Sequence, residues 1–171
     1  MRRLTVFLAM GLALSAPACK RRAQHTDPTT DLLSVLPMDH PRAQTQLVKG
    51  FYSREGGPWR WTAGQFSLIL RPPPGAAVGG ARLELMLNIP DVVFKELGAV
   101  TLSATAGGST LASEKYTQPG DQIYARDVPA SALAGDDITI EFATDKVVPA
   151  GKLEKRELAL IVTSVGLIAK P

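Results

Sequence analysis

The chain predicts an all-β fold: a two-sheet antiparallel β-sandwich of the jelly-roll kind, with about eight strands and one or two short helical turns. Three observations predict it. "ARLELMLNI" (81–89) sets Leu83, Leu85, Leu87 and Ile89 against Arg82, Glu84, Met86 and Asn88, the two-residue period of a strand with one buried face. "DITIEFAT" (137–144) repeats the device, with Ile138, Ile140 and Phe142 inward and Thr139, Glu141 and Ala143 outward. From Thr45 onward, short apolar runs rich in β-branched residues are separated by Gly, Pro and Asp, at spacings typical of an all-β domain.

The remaining elements follow in order. "QLVKGFY", "FSLIL", "AVTLSAT", "STLASEKY", "QIYARDV" and "LALIVTSVGLIA" supply further strands. The stretch Thr105 to Ser109, with Gly107 and Gly108 at its centre, marks a hairpin, because glycine reaches the backbone angles of a tight turn without steric cost. "RPPPGAAVGG" (71–80) is a loop, since successive prolines remove the amide donors a central strand needs. "PDVVFKELG" reads as a helical turn opened by Pro90 and Asp91, and "VPASALAGDD" as another that stops at Gly135. The inward set of Leu, Ile, Val and Phe is enough to fill one core without disulfides or metal.

The 171 residues are 45% hydrophobic and 20% charged, a globular balance. The first residues, "MRRLTVFLAMGLALSAPACK", place two arginines before an apolar run from Leu4 to Leu14 and then small residues before Cys19. That is the layout of a secretory signal peptide, too short to be a membrane span. The stretch from Leu14 to Cys19 resembles the bacterial lipoprotein signal, with Cys19 as the lipidated residue; Ala16 stands where leucine is usual. The other reading is plain secretion after Ala18. Cys19 is the only cysteine in the chain, so no second thiol could pair with it, which favours the lipid. The expected organisation is a signal peptide at 1–18, a lipidated cysteine and flexible tether at 19–43, and the sandwich at 44–171. Within the tether, "DLLSVLP" (31–37) fits either a helical turn or a segment docked on the domain.

Removing Arg2 and Arg3 with the leader takes the 19 basic residues to 17 against 16 acidic ones, a net charge of +1. Nucleic-acid binding needs a basic face, so that class is excluded. Lys20, Arg21 and Arg22 sit where an anchor would hold them against headgroups, each worth about 1 kcal/mol at an anionic surface.

Both tryptophans fall in "GFYSREGGPWRWTAGQ" (50–65). Gly50-Phe51-Tyr52, Glu55 and Arg60-Trp61-Thr62, together with Glu154, Arg156, Leu158 and Ala159 before the last strand, resemble a recurring bacterial β-sandwich module. That module occurs alone in secreted proteins or appended to glycosyltransferases of surface polysaccharide synthesis. Glu154 replaces its aspartate and Ala159 its glycine. The resemblance implies a galactose-binding-like or jelly-roll fold and carries no established chemistry.

The candidate site is therefore Tyr52, Glu55, Trp59, Arg60, Trp61 and Arg156, and it has two readings. In the structural one these residues form a corner tying the termini of the sandwich, with Glu55 paired to Arg156 and the guanidinium on an indole face. In the functional one, aromatic faces pack on a pyranose while charged groups take its hydroxyls. Trp59, beside Pro58 after two glycines, is expected to be the more exposed tryptophan.

The two histidines, His25 and His40, fall in the expected tether, so the domain holds no His or Cys and lacks the usual catalytic bases, thiol nucleophiles and transition-metal ligands. The neighbouring carboxylates Asp136 and Asp137, or Glu154 and Glu157, have the residue types of a glycosidic acid and base, but such loop pairs usually cap turns. No catalytic residue, metal or cofactor is expected. The sequence points to a non-enzymatic protein anchored to the bacterial cell envelope on its periplasmic or outer-surface side. Its partners would be the membrane, through the lipid, and a glycan; the alternative is an envelope protein in an assembly.

Overall fold

A computed structural model describes residues 32–170; the expected signal peptide, Cys19 and the basic residues behind it lie outside the described residues. Alternation builds the sandwich. In β4 (Ala81–Ile89) the four aliphatic residues named above are all 2% exposed or less, and the strand is paired along its length with β7 (Gly120–Val128) on one side and β9 (Ile161–Ala169) on the other. In β8 (Ile138–Thr144), Ile138, Ile140 and Phe142 are buried.

One hydrogen-bonded path runs β6 (Ser109–Tyr116), β5 (Val100–Ala106), β8, β3 (Arg60–Leu70), β9, β4, β7. It makes two layers because β3 serves both: Gln65 to Leu70 pair with β8, whereas Arg60 and Trp61 pair with β9. β2 (Leu47–Phe51) adds to the free side of β3, giving a five-stranded sheet β2-β3-β8-β5-β6. The second layer is β1 (Val35–Pro37) beside β9, then β4 and β7. Phe66 and Phe142 stack between the layers at 5.0 Å, with Phe51 and Tyr124 meeting them edge-on.

Two side chains bring the ends of the path together. From β7, the Tyr124 hydroxyl donates to Ala112 O at 2.8 Å, and Arg126 donates to Ala112 O and Ser113 O of β6 at 2.8 and 2.9 Å and pairs with Glu114. Side chains thus occupy carbonyls on a strand edge that would otherwise invite pairing by another chain. In β2, Gly50 has φ 73°, and a Cβ there would lie 2.0 Å from Gln65 O. Only glycine allows this approach, and it sits where the β2–β3 register shifts between Lys49 and Phe51.

Among the described residues there are nine strands where about eight were expected, and the extra one corrects the tether. Residues 32–43 are part of the sandwich. Leu36 and Met38 are fully buried, β1 pairs with β9, and Met38 N–H donates to Thr163 O at 2.8 Å. The described part of the "DLLSVLP" stretch docks on the domain, with Val35–Pro37 as this strand; Leu36 enters the core and Leu33 packs partly against it, burial that a solvated tether could not offer. Gln46, in the short helix α1 (Ala43–Gln46), is 1% exposed and pins the segment, its amide bonding Leu33 N–H and C=O and Ile69 O. His40 therefore belongs to the folded part, with Nδ1 accepting from Arg42 N–H within a turn. The loop 71–80 contains one helical turn, α2 (Ala76–Gly79), and α3 (Asp91–Leu97) lies where Pro90 and Asp91 open it.

Candidate functional site

The two motif stretches meet at one end of the sandwich. Thr62 is fully buried, and its backbone and hydroxyl bond Leu160 and Ala159, stitching the start of β3 to the strand entry after Arg156. Arg156 Nη2 donates to Glu55 at 2.5 Å, and Nε and Nη2 donate to Glu154 at 2.5 and 2.9 Å. The guanidinium carbon lies 4.6 Å from the centre of the Tyr52 ring. Its cation–π partner is thus a phenol, where the sequence suggested an indole. Tyr52 is held there by its hydroxyl, which donates to Glu157 O at 2.8 Å.

The electrostatics follow from this wiring. Hydrogen bonds from Arg156 hold the Glu154 carboxyl below its ordinary value, and the same bonds, with those to Glu55, raise the arginine. Burial, then the Glu157 charge, push the Tyr52 phenol up.

Arg60 has another role. It is 8% exposed and donates to Met38 O at 3.2 Å, Tyr52 O at 3.1 Å and Gln44 Oε1 at 3.4 Å. Burial lowers its proton affinity, and Arg54 adds to the effect. It clamps the N-terminal segment to the corner. Trp61 is half-buried against the core. Trp59 is half-buried too: its indole folds back on Gly57, where a Cβ would lie 2.1 Å from Nε1. Tyr52, Glu55 and Arg156 come together, while Arg60 points to the β1 segment. Glu154, quoted in the motif, is a full member of the cluster.

A second region, on the outer face of the five-stranded sheet, was not marked by any motif. Register places Lys49 opposite Ser67, Ser67 opposite Glu141, Glu141 opposite Thr105, and Thr105 opposite Thr110. One polar residue from each of five adjacent strands therefore stands in a single transverse row. Gln65, Ala143 and Ser103 form the next row. A shallow depression of about 280 Å³, open to solvent, lies over these rows. Beside it, sharing Gln65, is another of about 460 Å³ lined by Asp145, Lys146 and Glu157 among others.

The groups on this face are lightly used. Thr105 Oγ1 donates to Glu141 at 3.2 Å, and Lys49 Nζ lies 4.0 Å from the other oxygen of Glu141. Among the described residues no three His, Cys, Asp or Glu side chains converge as a metal site, and no helix is long and apolar enough to cross a membrane. The signal that could have found this face was the outward phase of each strand. What the sequence lacked was the register that aligns one strand with the next.

The fold and this open polar face define an all-β sandwich module. No family model matches the chain, and no curated protein does. Among solved structures, the chain is similar to a family GH115 4-O-methyl-α-glucuronidase with specificity for decorated arabinogalactans, with TM-score 0.52 and 12% identity over 95% of this chain and 20% of that one. The chain thus spans a fifth of that protein's length. A carbohydrate-binding module of family 36, solved with calcium and xylotriose, aligns with TM-score 0.44 and 11% identity over 79% of this chain and 99% of that one. A structure containing the second family 51 carbohydrate-binding module of Clostridium perfringens ZmpB, solved with GlcNAc, aligns with TM-score 0.37 and 12% identity over 79% of this chain and 28% of that one.

Proposed function

We propose that this protein is a non-catalytic glycan-binding module, exported and held at the bacterial cell envelope by a lipid on Cys19, with the outer face of the five-stranded sheet as its recognition surface. The observation that carries the reading is the Lys49, Ser67, Glu141, Thr105, Thr110 row. Ser67 itself is 2% exposed, and β3 presents Gln65 from the next row in its place, so the face offers an ammonium, an amide, hydroxyls and a carboxylate on a rigid sheet, the group types that exchange hydrogen bonds with sugar hydroxyls. The corner supports the same division of labour, since Arg156, Glu55, Glu154 and Tyr52 already satisfy one another.

A glycan array probed with the purified full chain tests binding, and decorated arabinogalactan is the first ligand to include. Binding to at least one glycan is expected; uniform silence would overturn the reading. The anchor is tested separately by fatty-acid labelling in cells, with label expected on the wild type and absent from Cys19→Ser.

A second reading, as a protein-binding subunit of an envelope assembly, is favoured by the outer face of the other sheet. There Val35, Met86, Ile123 and Ile168 are 39% to 55% exposed, and Met86 and Ile123 are direct cross-strand neighbours. Crosslinking in intact cells that recovers a single envelope protein, together with a silent array, would favour it.

A further inference from the structure

The depression over the five-stranded sheet also carries information about the kind of glycan, given the reading above that it binds one. Neighbouring strands lie about 4.8 Å apart, so a row crossing five of them extends roughly 19 Å. That step is close to the advance of one sugar ring along an extended chain, so a chain laid across the strands would meet an exposed or half-buried polar side chain on each of them, with Gln65 serving for β3 because Ser67 is buried. The depression is open to solvent. An open face takes the side of a chain, whereas recognition of a chain end needs walls that close around it.

Charge restricts the ligand further. The two adjoining depressions contain Lys49 and Lys146 against Glu141, Asp145 and Glu157. Lys146 Nζ is turned onto Leu97 O and Ala99 O at 3.1 and 2.7 Å, and Lys49 faces Glu141. Asp145 and Glu157 likewise accept from the Thr101 and Gly64 N–H groups, so all five charges count, and with carboxylates outnumbering ammonium groups three to two the surface disfavours an acidic chain. Among the lining residues the only aromatic is Phe142, and it is 2% exposed. Binding here relies on hydrogen bonds to hydroxyls in place of stacking on rings.

We infer that this face binds an internal stretch of an uncharged, linear polysaccharide laid across the strands β2, β3, β8, β5 and β6. Hydroxyls of successive sugars replace water at Lys49, Gln65, Ser103, Thr105, Thr110 and Glu141. No bond is made or broken.

The test is calorimetric titration of the full chain with neutral arabinogalactan, xylan and β-1,3-galactan, with length series of their oligosaccharides, and with polygalacturonate as the acidic counterpart. At least one neutral polymer is expected to bind. Its affinity should rise with oligosaccharide length until the ligand spans the row and then level off, and polygalacturonate should bind weakly. Glu141→Ala combined with Thr105→Ala should weaken binding about tenfold or more, with the melting temperature little changed, while Trp59→Ala leaves affinity within about twofold. Tightest binding to polygalacturonate or to a single sugar, or loss of binding in Trp59→Ala with the double variant unaffected, would overturn the inference and leave glycan binding standing. Silence toward every glycan would overturn both.

Discussion

At the corner, Arg156 holds two carboxylates within 2.9 Å and covers the Tyr52 ring. Across the five-stranded sheet, Lys49 stands 4.0 Å from Glu141, and the two side chains are 53% and 55% exposed. Both regions carry charge, but in one it is consumed within the fold and in the other it is left to solvent. A recognisable motif marked the region whose groups are tightly committed to each other, and plain strand alternation produced the region whose groups are loosely paired and open to solvent.

The largest effect is expected at the corner's buried member, Arg60. Arg60→Ala removes three donated bonds, one of them to the carbonyl of the fully buried Met38 and one to the part-buried carbonyl of Tyr52. We expect a loss of about 3 kcal/mol, read as a clear drop in the thermal midpoint and as earlier proteolysis of the β1 segment. A drop no larger than that of a surface substitution would mean that the clamp does not hold β1.

Next come the tryptophans. Trp61→Ala opens a gap against the core and should cost about 2 kcal/mol, whereas Trp59→Ala should cost less than about 1 kcal/mol. Equal drops in urea midpoint would erase the distinction between a packed ring and one resting on its own loop.

The exposed corner charges should have a smaller effect, with a definite pH signature. The Glu154 carboxyl is held below its ordinary value of 4.5. The unfolded chain therefore takes up the proton first as pH falls, and stability declines with it. The contribution is fully present above pH 4.5 and disappears as pH drops through the lower folded value. Thermal midpoints followed from neutral pH into acid should converge for wild type and Glu154→Gln below that window; a constant gap would contradict the assignment. Smallest of all, Glu141→Ala should leave stability within about 0.5 kcal/mol, since its ion pair is loose and exposed.

Much of the fold was legible because burial writes itself into sequence at period two. β4 was bounded at Ala81 and Ile89 and β6 at Ser109 and Tyr116 from pattern alone, and both hold. β1 was not legible. Three residues in a stretch rich in Pro, Asp and His show no alternation, and their strand exists only because β9 offers an edge and the core offers room for Leu36 and Met38. The meeting of Glu55 with Arg156 was expected because the first and last strands of a jelly roll lie close together, and the two side chains carry opposite charge. The Tyr52 partnership was missed because sequence cannot say which aromatic face lies under a guanidinium. The polar row was missed for a similar reason, since register shifts on both sides of Lys49 decide which β2 residue faces Ser67.

The central claim is that the sheet face, and not the corner, meets the ligand. Amide chemical-shift mapping of the isotope-labelled full chain, titrated with neutral arabinogalactan oligosaccharide or whichever array ligand binds best, tests it most directly. Shifts should concentrate at Gln65, Ser103 to Thr105, Thr110 and Glu141 to Ala143. Shifts gathered instead at Tyr52, Glu55, Trp59 and Arg156, with the sheet face silent, would contradict it.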